Sequence, residues 1–289
     1  MIDVNRYKWP FAILMFGLSI AYGFTAIPDK NQDRNMESNI MTKQLTEDLA
    51  IASKGRILFS HHSVGANIIE GIKRIDAENP NGSHIRVASL EQAATSTGPM
   101  LIQFSGGKNG DPKGKIDAFA ATIRGEPSLK PDLAFMKFCF VDFNPRTDVN
   151  DLFSYYRKTM EILKKEYPEI SFAHVTVPLT KRPTELKWRL FRLIGKEVWE
   201  DEANVKRAEF DKLLKETFKT DPIFDLSVIE ATAPDGHLTT FEERGQDYLS
   251  LYPGYTEDNE HLNQLGQQIA GKAFIHFITE GLKVRNSEK

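Results

Sequence analysis

Between Pro131 and Pro145 the chain runs through Leu133 to Phe143 with only Lys137 and Asp142 breaking an apolar sequence. Such a run, closed by proline at both ends, fits a strand covered on both faces, as in a parallel sheet between helices. Segments of alternating type surround it. Ile57 to Ser60, Ile85 to Leu90, Ile170 to Leu179 and Ile223 to Ile229 have strand character. Val64 to Ile75, Ile116 to Arg124, Asp151 to Tyr167, Asn204 to Phe218 and Leu265 to Ile278 have helical character, the first with Val64, Ile68, Ile72 and Ile75 on one stripe. Strand–helix alternation with short connections predicts an α/β fold, a three-layer α/β/α sandwich around a mostly parallel, flavodoxin-like five-stranded sheet.

The N-terminus is set apart. Arg6 and Lys8 precede an uncharged stretch from Trp9 to Ile27, long enough to cross a bilayer as a helix. The positive flank stays on the cytoplasmic side, which places the rest of the chain outside the cytoplasm, periplasmic or secreted. Ala21-Tyr22-Gly23 is an acceptable cleavage site, so residues 1–28 read as either a signal peptide or a membrane anchor. Residues 29–52 read as a polar linker with a short helix, and residues 53–289 as the folded domain. A net charge of −3 gives no electrostatic footprint for nucleic acid. The single cysteine, Cys139, excludes an intrachain disulfide and reads as a buried strand residue.

Thr180 to Glu202 carries Trp188, Phe191 and Trp199 among Lys181, Arg182, Lys187, Arg189 and Arg192. It reads either as an amphipathic helix packing its aromatic face on the core, or as a lid or membrane-touching surface.

Two segments carry chemistry. In a parallel α/β sheet, ligands bind beyond the carboxyl ends of the strands. Ser63, in Phe59-Ser60-His61-His62-Ser63-Val64-Gly65, falls there, where the first strand turns into a helix. Its amide would be free at the helix N-terminus, although a capping serine looks the same. Near the other end of the chain, Asp258-Asn259-Glu260-His261 precedes the last helix. A serine nucleophile needs an imidazole to take its proton, and that imidazole needs a carboxylate to fix its tautomer.

Together these segments resemble the SGNH (GDSL-like) hydrolase family across about residues 55 to 280. Phe59 to Gly65 stands where the family has its Gly-Asp-Ser block, with His62 at the usual Asp. Asp258-x-x-His261, followed by Leu262-Asn263 and Gly266, matches the block before the final helix. The resemblance implies a catalytic triad of Ser63, His261 and Asp258, with no cofactor and no metal. It also implies an oxyanion hole made by Ser63, a loop glycine and an asparagine. The glycine is one of Gly106, Gly107 or Gly110, with Gly110 preferred. Val141 occupies the expected asparagine position, so Asn144 or Asn109 would substitute, with Asn144 preferred. Asp142 matches the acidic residue of that block, and His62 would orient the first loop, with Asp142 as its partner. His61 and His62 are adjacent and would point apart, which disfavours a shared metal ion.

The implied activity is an exported serine esterase removing acyl groups, above all acetyl, from small-molecule or glycan esters of the envelope or extracellular space. An O-acyltransferase with the same triad and a catalytically inactive glycan-binding member of the fold are the alternatives. Membrane association would run through residues 9–27, and no nucleic acid is expected as a partner.

Overall fold

The computed structural model describes residues 42–80 and 82–287. The apolar stretch 9–27 and most of the expected linker lie outside them. Among the described residues no helix is long and apolar enough to cross a membrane.

Helix α1 (42–52) leads into β1 (Arg56–Ser60) and α2 (Ser63–Glu78). The chain continues through β2 (Val87–Ala88), α3 (Leu90–Ala94), β3 (Met100–Phe104), α4 (Pro112–Gly125), β4 (Leu133–Met136) and α5 (Val149–Glu166). Next come β5 (Ser171–Phe172), β6 (His174–Val175), α6 (Leu186–Leu193), α7 (Trp199–Thr217), β7 (Ile223–Phe224) and α8 (Leu226–Ala231). A hairpin of β8 (Thr240–Glu243) and β9 (Gln246–Leu249) precedes the closing helix α9 (Gln264–Ser287).

The main sheet has five parallel strands in the order β2-β3-β1-β4-β5. After β5 the chain shifts partner at Ala173, and β6 pairs in parallel with β7. Side chains alternate across the sheet, as the pleat demands. Ile57 and Phe59 of β1 join Leu133 and Phe135 of β4 in a core with α1, α2 and α9. Leu58, Ala134 and Met136 face the other way, into a core with α4, α5 and α7. Helices therefore cover both faces, giving the expected three-layer α/β arrangement.

Several segments differ from the reading of the sequence. Met100–Phe104, directly paired with β1, is a strand that the sequence reading passed over. Its apolar core is only Met100 to Ile102, too short for a periodic signal. The long apolar run after Pro131 is strand only as far as Met136. Lys137 still donates its amide to Ser60, but Phe140–Asp142 then forms a 3₁₀ turn. Cys139 is thus buried as expected, though in the loop beyond the strand rather than in it. Ile223 to Ile229 is strand for two residues and then helix α8, every residue of which is buried. Asp225 and Ser227 alternate with Phe224, Leu226 and Val228 as in a strand, so the local pattern does not mark where the helix begins.

The two helices flanking the site cross at a glycine pair. A Cβ on Gly71 would lie 1.9 Å from the carbonyl oxygen of Gln267, and one on Gly271 would lie 2.8 Å from the backbone of Gly71. Backbone meets backbone at this crossing, which only glycine permits. It sets the distance between α2, which begins at Ser63, and α9, which follows His261.

Candidate active site

The site lies at the carboxyl end of the sheet, where three chain segments meet. Ser63 is the first residue of α2, its amide among the first-turn donors that have no acceptor inside the helix. Its hydroxyl lies 3.3 Å from the Cys139 sulfur. The neighbouring Phe140 ring packs edge-on against the His261 imidazole, with ring centroids 5.4 Å apart. Asn67, one turn along α2 from Ser63, accepts a hydrogen bond from the amide of Leu262 at 3.2 Å. Ser63 and His261 therefore border the same 3₁₀ turn and share a tie through Asn67. No hydrogen bond joins the two side chains directly.

The loop that carries His261 is shaped by its own sequence. An isolated antiparallel bridge between Thr256 and Leu262 closes it. Asn259 takes φ +77, a left-handed conformation that asparagine tolerates better than most residues. Inside this turn Asp258 accepts the amides of Glu260 and His261 through Oδ1, at 2.9 and 2.7 Å. Its Oδ2 accepts from His261 Nδ1 at 2.7 Å. Partial burial pushes the Asp258 carboxyl up, but the two amides and the imidazole outweigh it and hold the group well below the usual carboxylate range. With Nδ1–H donating to a carboxylate, neutral His261 carries its lone pair on Nε2, the form a general base needs.

On the other bank, Asp142 organises the glycine loop. It is almost wholly buried. Oδ1 accepts from the Gly110 amide at 2.8 Å, and Oδ2 accepts from Lys115 Nζ and from the Cys139 amide, each at 2.6 Å. Lys115 is buried too, and its amine also reaches Asn109 Oδ1 at 2.9 Å. The expected partnership of His62 with Asp142 is not present. His62 Nε2 donates instead to the carbonyl of Gly106 at 3.0 Å, while Asp142 is held by Lys115 and two amides. Both residues do tie the loops around Ser63, by separate routes.

Of the residues named for the oxyanion hole, Ser63 has its amide at the helix start, whereas the Gly110 amide is bonded to Asp142. Asn144 is engaged in its own turn, where Oδ1 accepts from the Arg146 amide at 2.8 Å. Val141, at the position of the missing asparagine, is exposed on the 3₁₀ turn.

Beneath the site lies a buried polar layer that the sequence reading missed. Arg207 of α7 donates to Thr180 Oγ1 at 2.9 Å and to the Phe140 carbonyl at 3.0 Å, bracing the turn that holds Phe140. Lys137 donates to the Phe138 carbonyl at 2.7 Å, and Glu230 accepts the Leu179 amide at 2.6 Å. Burial pushes Glu230 up to about 8, against the pull of Lys137 and Arg207. His61 Nε2 donates to Gln103 Oε1 at 2.9 Å, leaving Nδ1 buried without a partner. Asn67 alone left a sequence signal, its helical spacing from Ser63. The buried charges left none, since nothing local marks a lysine or arginine for burial.

The adjacent histidines have different partners and do not converge. Among the described residues, Asp48, His276 and Glu280 bring ligand atoms within 4.8 Å of one another. They sit on α1 and α9, away from Ser63, and the 2.9 Å bond from His276 to Asp48 accounts for the grouping.

No family model matches the chain, and no curated protein matches it. Among solved structures it is similar to a protein assigned to the G-D-S-L lipolytic family from Desulfitobacterium hafniense DCB-2. The identity is 7%, with 76% of this chain and 98% of that one covered and a TM-score of 0.39. It is similar also to the periplasmic domain of a lipopolysaccharide acetyltransferase from Salmonella ser. Paratyphi A, at 12% identity, 84% and 95% coverage and a TM-score of 0.41. A third is the salicylyl-acyltransferase SsfX3 from a tetracycline biosynthetic pathway, at 10% identity, 77% and 53% coverage and a TM-score of 0.36. Likenesses this distant carry no weight in assigning the reaction.

Proposed function

We propose that the chain is a serine esterase that removes short acyl groups, acetyl foremost, from glycan esters outside the cytoplasm. The observation that carries this reading is the Asp258–His261 pair. A carboxylate holds Nδ1–H at 2.7 Å and leaves Nε2 basic, on the same rim as a serine at a helix start.

In this reaction the Ser63 hydroxyl turns from Cys139 towards His261 and attacks the acyl carbonyl, while Nε2 takes its proton. The Ser63 amide donates to the developing oxyanion. The imidazolium, steadied by Asp258, then protonates the departing sugar oxygen. Water attacks the acyl-enzyme with His261 as base, releasing the acid and restoring Ser63. The His261 side chain is 39% exposed, which gives water a route to the acyl-enzyme. The choice of glycan rests on the exported location expected from residues 9–27.

The test is turnover of a short-chain aryl acetate by the full chain in mild detergent, followed by acetate release from an acetylated polysaccharide. Wild type should turn over, and Ser63→Ala and His261→Ala should each fall by at least about a thousandfold. Wild-type rates no higher than those of Ser63→Ala would sink the assignment.

A further inference from the structure

Among the described residues, large exposed apolar side chains occur beside the site and on α6, with Ile162, Trp199 and Val284 exposed elsewhere. Val141 follows the end of β4, and Leu265 stands in the first turn of α9 after His261; both are exposed. The excursion that contains α6 leaves the sheet beside them, its Lys181 amide donating to the Asn259 carbonyl at 2.8 Å.

Helix α6 itself is turned inside out for a globular protein. It rests on the body through Trp188, Phe191 and Arg192, the last paired with buried Asp201 at 2.6 Å. Leu186, Leu190, Leu193 and Ile194 point away, with Leu193 81% and Leu186 70% exposed. Their spacing of four, three and one residues forms a single helical stripe. Lys187, Arg189 and Lys196 flank that stripe, with Glu185 and Glu197 exposed just beyond its two ends. Lys187 and Lys196 lie over the rings of Trp188 and Phe191, at 4.3 and 5.3 Å. An exposed leucine stripe edged by cations and aromatic rings suits the boundary between lipid headgroups and acyl chains.

We propose that α6 is an interfacial helix that docks the protein on an anionic phospholipid bilayer. The cations select this occupant. A second protein surface or the uncharged stretch 9–27 would cover the leucines without calling for Lys187 and Arg189 inside the stripe and Lys196 after it, whereas anionic headgroups match those cations. The apolar stretch 9–27 supplies a route to the same membrane. This inference rests on the surface alone and stands whether or not the reaction proposed above is correct.

The test is amide hydrogen exchange of the full chain in vesicles of phosphatidylcholine alone and in vesicles containing about 30% phosphatidylglycerol. Amides of residues 187–196 should exchange about threefold or more slowly on the anionic vesicles, and salt at about 0.5 M should remove the difference. The double variant Leu190→Glu/Leu193→Glu should lose the slowing while exchange in α4 and α5 stays unchanged, since both side chains lie outside the core. Equal exchange on the two vesicle types overturns the proposal. So does slowing that grows with protein concentration in the absence of lipid, which would identify a second copy as the occupant. Slowing produced by a soluble short-chain ester without vesicles also overturns it and makes α6 a lid.

Discussion

The hydroxyl of Ser63 lies 3.3 Å from the sulfur of Cys139, joining the first residue of α2 to the loop beyond β4. Sulfur is a weak hydrogen-bond partner, so the serine can leave it at little cost when substrate and His261 compete. Cys139→Ala should therefore keep turnover within about threefold of wild type. Cys139→Ser offers a shorter and stronger O–H···O bond and should lower kcat several-fold. Steady-state kinetics on the aryl acetate distinguish them; a Cys139→Ser enzyme as fast as Cys139→Ala would show that this contact does not restrain the nucleophile.

Gly71→Ala places a methyl group 1.9 Å from the Gln267 carbonyl oxygen, where only backbone can give way. The expected result is a loss of about 1–3 kcal/mol or more in urea unfolding, the cost of overpacking a tight contact. Because α2 and α9 must then part, kcat should fall together with stability. Retained stability would mean that the helices do not approach as closely as described.

The ion pair of Lys115 and Asp142, 2.6 Å long and almost wholly buried, holds the glycine loop to the 3₁₀ turn. Removing one partner leaves the other charge uncompensated in the interior. Lys115→Met should lower stability by about 3–5 kcal/mol, measured by chemical denaturation at neutral pH. A loss below about 1 kcal/mol would mean that water reaches Asp142 in the variant.

His61 predicts a specific acid response. Burial first, then the nearby charge of Lys137, press its imidazole down to about 4 from an ordinary value near 6.5. The folded state therefore holds the ring neutral where the unfolded chain protonates it. Its contribution to stability is complete above about pH 6.5 and is lost as pH falls through about 4. The stability of wild type minus that of His61→Gln should accordingly drop by about 3 kcal/mol between pH 7 and pH 4. Asp211 and Glu230, raised by burial to about 7 and about 8, titrate in both proteins and cancel in the difference. A difference that stays flat with pH would place His61 in contact with water.

By itself the sequence determined the layered α/β arrangement. The signals for it are local: apolar runs, helical stripes and the prolines that bound them. Ser63 and the Asp258–His261 turn stood out through the resemblance of their two blocks, with a spacing of three that lets the carboxylate reach Nδ1 of its own loop. Tertiary structure alone decided what surrounds them. The turn beyond the strand after Pro131 is pinned by Asp142, which gathers the Lys115 amine and the amides of Gly110 and Cys139. The partner of His62 is the Gly106 carbonyl, 44 residues along the chain. That Gly110 and Asn144 have bonds elsewhere, that Asn67 ties the two halves of the site and that Arg207 braces Phe140 all depend on contacts between residues far apart in the chain. Local pattern reports which side chains seek burial; which buried polar group meets which partner is fixed only when the layers close.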